Sequence, residues 1–246
     1  MSNLNGKVAL VTGGSRGIGA AIAKRLADDG ANVAITYFGS EEKARKVTAE
    51  IEAKGRRALA IRADSADPAA VAAAVEQTVS TLGKIDVLVN NAGIFLVGSI
   101  TEVPLEDFER TVAVNVRAVF VASQAAARHM GEGGRIISLG SNLADRVPGP
   151  NMAVYSMSKS ALVGLTKGMA RDLGPKGITV NIVSPGATDT DMNPADGAMA
   201  EFQRSRMAIP RYGSAENLAA LISFLASDEA RSVNGTSFLV DGGSNA

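Results

Sequence analysis

Short apolar runs alternate along this chain with longer runs of helical period. Residues 7–12, 32–37, 57–63, 85–89, 135–139, 178–184 and 237–240 are brief and mostly rich in Val, Ile and Leu, which predicts strands. Residues 18–29, 41–54, 68–82, 104–130, 153–173 and 215–226 carry apolar positions at helical spacing, which predicts helices, the fourth of them long. The strand at 85–89 (IDVLV) and the one at 135–139 (RIISL) barely alternate, as expected for strands covered on both faces. Strand–helix alternation implies parallel crossovers of one hand. The expected fold class is α/β: a Rossmann-type doubly wound sheet of about seven parallel strands with helices on both faces. Residues 1–246 read as one dinucleotide-binding domain, without a linker or an internal repeat. A sheet of this kind holds its ligand beyond the carboxyl ends of its strands, so the residues just after each strand are where chemistry is expected.

Composition narrows the chemistry. The chain has 25 basic and 25 acidic residues and a formal net charge of zero, so nucleic acid is not expected as a partner. It has no Cys and a single His, His129, which removes disulfides, thiolate nucleophiles and any Cys- or His-rich metal site; no metal is expected. His129, near the end of the long helix beside Arg128, reads as a favourable charge at a helix C-terminus. No eighteen-residue stretch is apolar throughout, so no membrane span is expected. Residues 1–7 are polar and carry no apolar leader stretch, and a cytoplasmic location is expected. The mixed charges at Glu41, Glu42, Lys43, Arg45 and Lys46 read as a solvated helix face.

The first strand runs into Gly13-Gly14-Ser15-Arg16-Gly17-Ile18-Gly19 and then a helix. Gly13 permits a tight turn, Gly17 a close approach of backbone to a pyrophosphate, and Gly19 close helix-to-strand packing. The unpaired N–H groups of the helix start favour an anion. Placed after strand one and before a helix, the loop predicts dinucleotide binding. The second strand ends Thr36-Tyr37-Phe38-Gly39-Ser40, with no carboxylate before Glu41. A carboxylate there takes a ribose 2′-hydroxyl and repels a 2′-phosphate. Its absence, with the charge of Arg16 and the hydroxyl of Ser40, favours NADP(H) over NAD(H).

Tyr155 and Lys159 lie four apart in a helical stretch and share a face. A neighbouring ammonium favours a phenolate, and the pair can then exchange a proton with an alcohol oxygen. Ser141 follows the strand at 135–139 and reaches the same edge. Asn115 is polar among Val112, Val114 and Val116, so it needs backbone or water partners.

These motifs, with Asn90-Asn91-Ala92-Gly93, Pro185-Gly186 and Asp241-Gly242-Gly243, make the chain resemble the short-chain dehydrogenase/reductases over its full length, and most of all their 3-oxoacyl-acyl-carrier-protein reductase-like branch. The resemblance implies an oxidoreductase of ketones and alcohols. It makes Tyr155 the general acid and Lys159 the group that lowers its pKa and holds the nicotinamide ribose. Ser141 orients the carbonyl, and Asn115 anchors a proton-relaying water. It places Gly13, Ser15, Arg16, Gly17, Ile18, Gly19, Tyr37, Ser40, Asp64, Ser65, Asn91, Ala92, Gly93, Pro185, Gly186, Thr188 and Thr190 along the cofactor, with a substrate lid at about 188–210. The gap from Ser141 to Tyr155 is one residue longer than is usual in the family, and Ser65 and Thr188 replace apolar residues usual there. A homotetramer is expected, packed through the long helices, with Ala122, Ala125, Ala126, Ala161, Gly164 and Gly168 allowing close approach. Residues 185–195 also resemble members described as cyclic-di-GMP-binding mediators of biofilm dispersal, which leaves a regulatory binding protein as the alternative.

Overall fold

The computed structural model describes residues 3–246; of the polar start at 1–7, Met1 and Ser2 lie outside them. The described residues form a sheet of seven parallel strands in the order β3-β2-β1-β4-β5-β6-β7. These are β1 (Val8–Val11), β2 (Asn32–Tyr37), β3 (Ala58–Arg62), β4 (Val87–Asn90), β5 (Arg135–Leu139), β6 (Thr179–Pro185) and β7 (Ser237–Val240). The helices are α1 (Gly17–Asp28), α2 (Glu41–Glu52), α3 (Pro68–Leu82), α4 (Leu105–Val112), α5 (Ala118–His129), α6 (Ala153–Leu173), α7 (Ala200–Arg204) and α8 (Ala215–Ala226).

Period-two alternation divides the core. Ala9 and Val11 of β1 join Ile22 and Leu26 of α1 and Leu218 and Ile222 of α8 in one cluster. Val8 and Leu10 point the other way, into a second cluster with Val75 of α3, Ala122 and Ala126 of α5 and Ala170 of α6. β1, β4 and β5 are buried throughout, as their apolar runs predict, whereas β7 at the sheet edge alternates between exposed and half-buried positions. Local chemistry sets several helix ends. Asp67 caps α3 by accepting from Ala69 N–H at 2.8 Å, with Pro68 at the first helical position. Ser214 and Asn217 form a capping box at the start of α8.

Three expectations need correction. The helix expected over 104–130 is interrupted by a π turn, Ala113–Arg117, between α4 and α5. The wider turn offsets the helix before it from the helix after it. Asn115 thereby points at the loop after β4 while Ala118 and Ala122 still face the core. The short α7 interrupts a stretch read only as a lid. Finally, Ala122, Ala125 and Ala126 are buried inside the chain and cannot form an outer surface, whereas Ala161, Gly164 and Gly168 on α6 are exposed.

The strand order reverses between β1 and β4, since the chain builds outward to β3 and returns to the other side of β1. The helices that follow these two strands pack on opposite faces of the sheet, α1 in one cluster and α5 in the other, which leaves a crevice beyond the carboxyl ends of the strands.

Candidate active site

The loop after β1 is locked to the loop after β4. Thr12 Oγ1 accepts from Asn91 N–H at 3.0 Å and Ala92 N–H at 3.1 Å. The Asn91 amide donates to Thr12 O at 2.9 Å and Gly13 O at 3.0 Å. Gly13 N–H donates to Thr36 Oγ1 at 3.0 Å, which ties in β2. Asn91 and Ala92 line the crevice, but these polar groups hold the glycine loop in shape. Gly13 has φ +64°, and a Cβ on Gly19 would stand 2.4 Å from Gly13 O. Arg16 precedes α1 in extended conformation and its side chain makes no capping bond. The first N–H groups of α1 therefore open toward the crevice, with no acidic side chain in the first turn.

At the end of β2, Tyr37, Gly39 and Ser40 border the same space. Ser40 precedes α2 and its hydroxyl makes no capping bond. Glu41, the first carboxylate after the strand, is drawn along α2 by Arg45 at 2.7 Å. Lys43 lies on the solvated face expected of it and there pairs with Asp191 at 3.2 Å, where Arg16 also approaches at 3.6 Å. Asp64 and Ser65 follow β3 on the same border, with Asp64 Oδ1 accepting from Ala66 N–H at 2.8 Å.

Tyr155 and Lys159 stand on one face of α6. Lys159 is buried, and its ammonium donates to Leu139 O at the end of β5 at 2.9 Å. Burial pulls its pKa from the ordinary 10.5 down to about 8. The Tyr155 ring meets Phe95 edge-on with centroids 4.7 Å apart, and the Lys159 nitrogen lies 5.8 Å from the tyrosine ring centre. The expected lowering of the tyrosine pKa is not found. Burial pushes the Tyr155 phenol up, and the Ser141 hydroxyl beside it opposes that only in part. Ser141 accepts from Leu143 N–H at 3.1 Å, which leaves its own O–H to donate toward the crevice. Asn115 satisfies its amide without a free group. It accepts from Ile94 N–H at 2.9 Å and donates to Ile94 O at 3.0 Å and Ser158 Oγ at 3.1 Å. It thus fixes the loop carrying Gly93 beside Lys159: a Cβ on Gly93 would lie 3.6 Å from the lysine nitrogen.

The far wall follows β6. Pro185 and Gly186 end the strand, and a Cβ on Gly186 would meet Asp241 at 2.6 Å. Thr188 is buried and donates to Gly186 O at 3.2 Å. Thr190 lies over the glycine loop, its methyl 3.6 Å from where a Gly17 Cβ would be. Asn193 and Gln203 pair amide to amide at 3.0 and 3.2 Å, and Tyr212 donates to Gln203 at 3.1 Å. The loop between Ser141 and Tyr155 is pinned from the chain end: Asn245 donates to Asn142 O at 2.7 Å and Arg146 to Ser244 O at 3.2 Å.

These walls enclose one cleft of about 680 Å³, bordered at one end by Arg16 and Ser40 and at the other by Ser141, Tyr155, Met199 and Phe202. Ile18 and Ser15 also line it. Sequence reasoning missed Lys43, Phe95, Phe202 and Asn245; Phe202 lay inside the expected lid, but nothing local marked the others. Among the described residues no cluster of His, Cys, Asp and Glu could hold a metal, and no helix is long and apolar enough to cross a membrane. The donor set fits a phosphorylated dinucleotide. An open helix N-terminus lies at mid-cleft, with Arg16 and a free Ser40 hydroxyl at one end and a Tyr–Lys pair at the other.

Comparison with known proteins gives the same answer. Residues 13–245 match the family described as enoyl-(acyl carrier protein) reductase. The chain is 46% identical over 242 residues to the cyclic-di-GMP-binding biofilm dispersal mediator protein of Escherichia coli K12, covering 98% of each. It is 41% identical over 240 residues to the 3-oxoacyl-[acyl-carrier-protein] reductase of Staphylococcus aureus, covering 96% of this chain and 97% of that one. A short-chain dehydrogenase from Burkholderia cenocepacia J2315, solved in complex with NADP, superposes with a TM-score of 0.98 at 65% identity, over 99% of this chain and 100% of that chain. The chain belongs to the short-chain dehydrogenase/reductase family of oxidoreductases.

Proposed function

We propose that the protein is an NADPH-dependent carbonyl reductase acting on a ketone such as a 3-oxoacyl thioester. The observation that carries this reading is the Ser141–Tyr155–Lys159 group standing in the same cleft as the Arg16 end. NADPH, when bound, supplies the hydride. Ser141 donates to the carbonyl oxygen and orients it. Tyr155 passes its phenolic proton to that oxygen as charge develops there. Its elevated pKa keeps the proton in place before reaction. Lys159 sits close enough to stabilise the phenolate left behind and to hold the cofactor ribose. Asn115 and Gly93 support Lys159 from below. Ser15, Gly17, Ile18, Gly19, Ala92, Pro185, Gly186, Thr188 and Thr190 border the remaining cofactor path, and Tyr37, Ser40, Asp64 and Ser65 its adenosine end.

Residues 188–210 act as the lid over the substrate. Met192, Met199 and Phe202 are about half exposed there and offer adaptable apolar contact to an acyl chain. We place the protein in the cytoplasm as a homotetramer, with the exposed face of Met157, Ala161, Gly164 and Gly168 on α6 as part of an interface.

The E. coli relative supports a second reading, in which the phosphate-binding end also takes cyclic-di-GMP. Parallel titrations with NADPH, NADH and cyclic-di-GMP, followed by NADPH consumption with 3-oxoacyl and 2-enoyl thioesters, test both. Tighter binding of NADPH than NADH and turnover of the 3-oxoacyl substrate are expected. Equal affinity for the two nicotinamides overturns the cofactor assignment, and turnover of the enoyl substrate alone overturns the carbonyl chemistry.

A further inference from the structure

Arg16, which lines the adenosine end of the cleft, and Lys43, just outside that lining, share one anion that the protein itself supplies. Asp191 Oδ2 lies 3.2 Å from Lys43 Nζ at the start of α2 and 3.6 Å from Arg16 Nη1 at the glycine loop. The three side chains come from three elements that meet only in the folded chain. Lys43 and Asp191 are 148 positions apart. The Asp191 carboxyl is held below its ordinary pKa chiefly by Lys43, with a smaller contribution from Arg16. Ser40, whose hydroxyl is free of its helix, borders the same space. Glu41, the first carboxylate after β2, is engaged by Arg45 instead.

We propose that Lys43 is a second cation for the 2′-phosphate of NADPH, beside Arg16, and that Asp191 occupies this site until the phosphate displaces it. The proposal rests on the NADP(H) reading above. The carboxylate carries one charge and is well exposed, so its pairing is weak. A phosphate monoester carries nearly two charges and three acceptor oxygens, and wins that exchange. NADH, with a ribose hydroxyl in place of the phosphate, has nothing to displace Asp191 with. The displaced residue is linked onward. Thr190 and Asn193 close a tight turn around Asp191, with Asn193 N–H donating to Thr190 O at 3.0 Å. Asn193 is paired with Gln203 of α7, the helix that presents Phe202 to the substrate end. Arrival of the phosphate is thereby felt by the segment that covers the substrate.

The test is a fluorescence titration of NADPH and NADH against the full chain, Lys43→Ala and Asp191→Asn, with 2′,5′-ADP as a non-reducing competitor. Lys43→Ala is expected to weaken NADPH and 2′,5′-ADP about 3–10-fold and to leave NADH within about twofold. Asp191→Asn is expected to tighten NADPH about 2–5-fold without changing NADH, and that gain should shrink as salt is raised past about 0.5 M. Equal shifts for both nicotinamides in either variant, with the wild-type preference for NADPH intact, overturn the clamp and leave the cofactor reading standing. A wild type with no preference overturns the cofactor reading and the clamp together. Weaker NADPH binding in Asp191→Asn shows the carboxylate to be a support, and overturns its role as an occupant.

Discussion

On one wall of the cleft the functional groups are fixed by bonds to buried backbone; on the other they hang on side-chain pairs near solvent. Lys159 is held by Leu139 O, Asn115 by both backbone groups of Ile94, and the glycine loop by Thr12 and Asn91. Opposite them, backbone bonds fix residues 188–210 at their ends, Asp189 N–H to Gly213 O at 3.0 Å and Ile209 N–H to Gly242 O at 2.9 Å, while between those ends stand the side-chain pairs Asn193–Gln203, Tyr212–Gln203 and those of Asp191, with Met192 54% and Met199 52% exposed. Breaking a buried backbone contact leaves an unsatisfied group, whereas breaking a solvated side-chain pair exchanges it for water. The first wall therefore suits chemistry that needs fixed geometry, and the second suits substrates of varied shape.

The sharpest way to break this comparison is at Tyr155. Tyr155→Phe keeps the ring against Phe95 and removes only the proton, so turnover should fall about 10²–10⁴-fold while NADPH affinity, read by fluorescence, holds. Turnover above roughly a tenth of wild type would place the proton source elsewhere. Gly19→Ala probes the stiffness of the same wall. Its new methyl meets Gly13 O at 2.4 Å, and backbone has to move to make room. A loss of about 1–3 kcal/mol in denaturant unfolding is expected, together with weaker cofactor binding. Unchanged stability would show that the glycine loop yields.

Lys159 offers a pH test. With its pKa brought down to about 8 from 10.5, the buried ammonium costs folding stability at every pH below 8. The cost shrinks as pH rises from there and is gone above the ordinary lysine value. Lys159→Met should therefore raise the stability of the cofactor-free protein at pH 7, by about 1–3 kcal/mol. Thermal melts of the two proteins should converge between pH 8 and 10.5. Parallel melting curves across that range would show that Lys159 is not the group being charged. The smallest effect belongs to the other wall. Gln203→Ala removes the partner of Asn193 and Tyr212, but all three residues are half-buried and water can replace the lost amide. It should change KM for the ketone several-fold and leave kcat and the melting temperature nearly unaltered. A fall in kcat comparable with that of Tyr155→Phe would erase the distinction between the walls.

How much of this was legible in the sequence follows the same division. β1, β4 and β5 are mostly apolar and buried throughout because both faces are covered, and their loops could be read from local residue order alone. The four-residue spacing of Tyr155 and Lys159 needed only the period of a helix. The π turn at Ala113–Arg117 was not legible, because what Asn115 reaches is the backbone of Ile94, in a distant loop. Ala122, Ala125 and Ala126 looked as suited to an outer contact as Ala161 and Gly164 do, since small size says nothing about which face of a helix meets the sheet.

Local order by itself determined the strand–helix alternation, the glycine cradle after β1, the missing acid at the end of β2 and the Tyr–Lys pair. Each depends on backbone geometry within a few residues. Only the tertiary structure decided that Lys43, on its solvated face, meets Asp191, and that Asn245 pins the loop before α6. It also decided that burial, rather than the neighbouring ammonium, governs the Tyr155 phenol. Charge pairing and desolvation depend on distance and on the surrounding medium, and both are set by segments far apart in the chain.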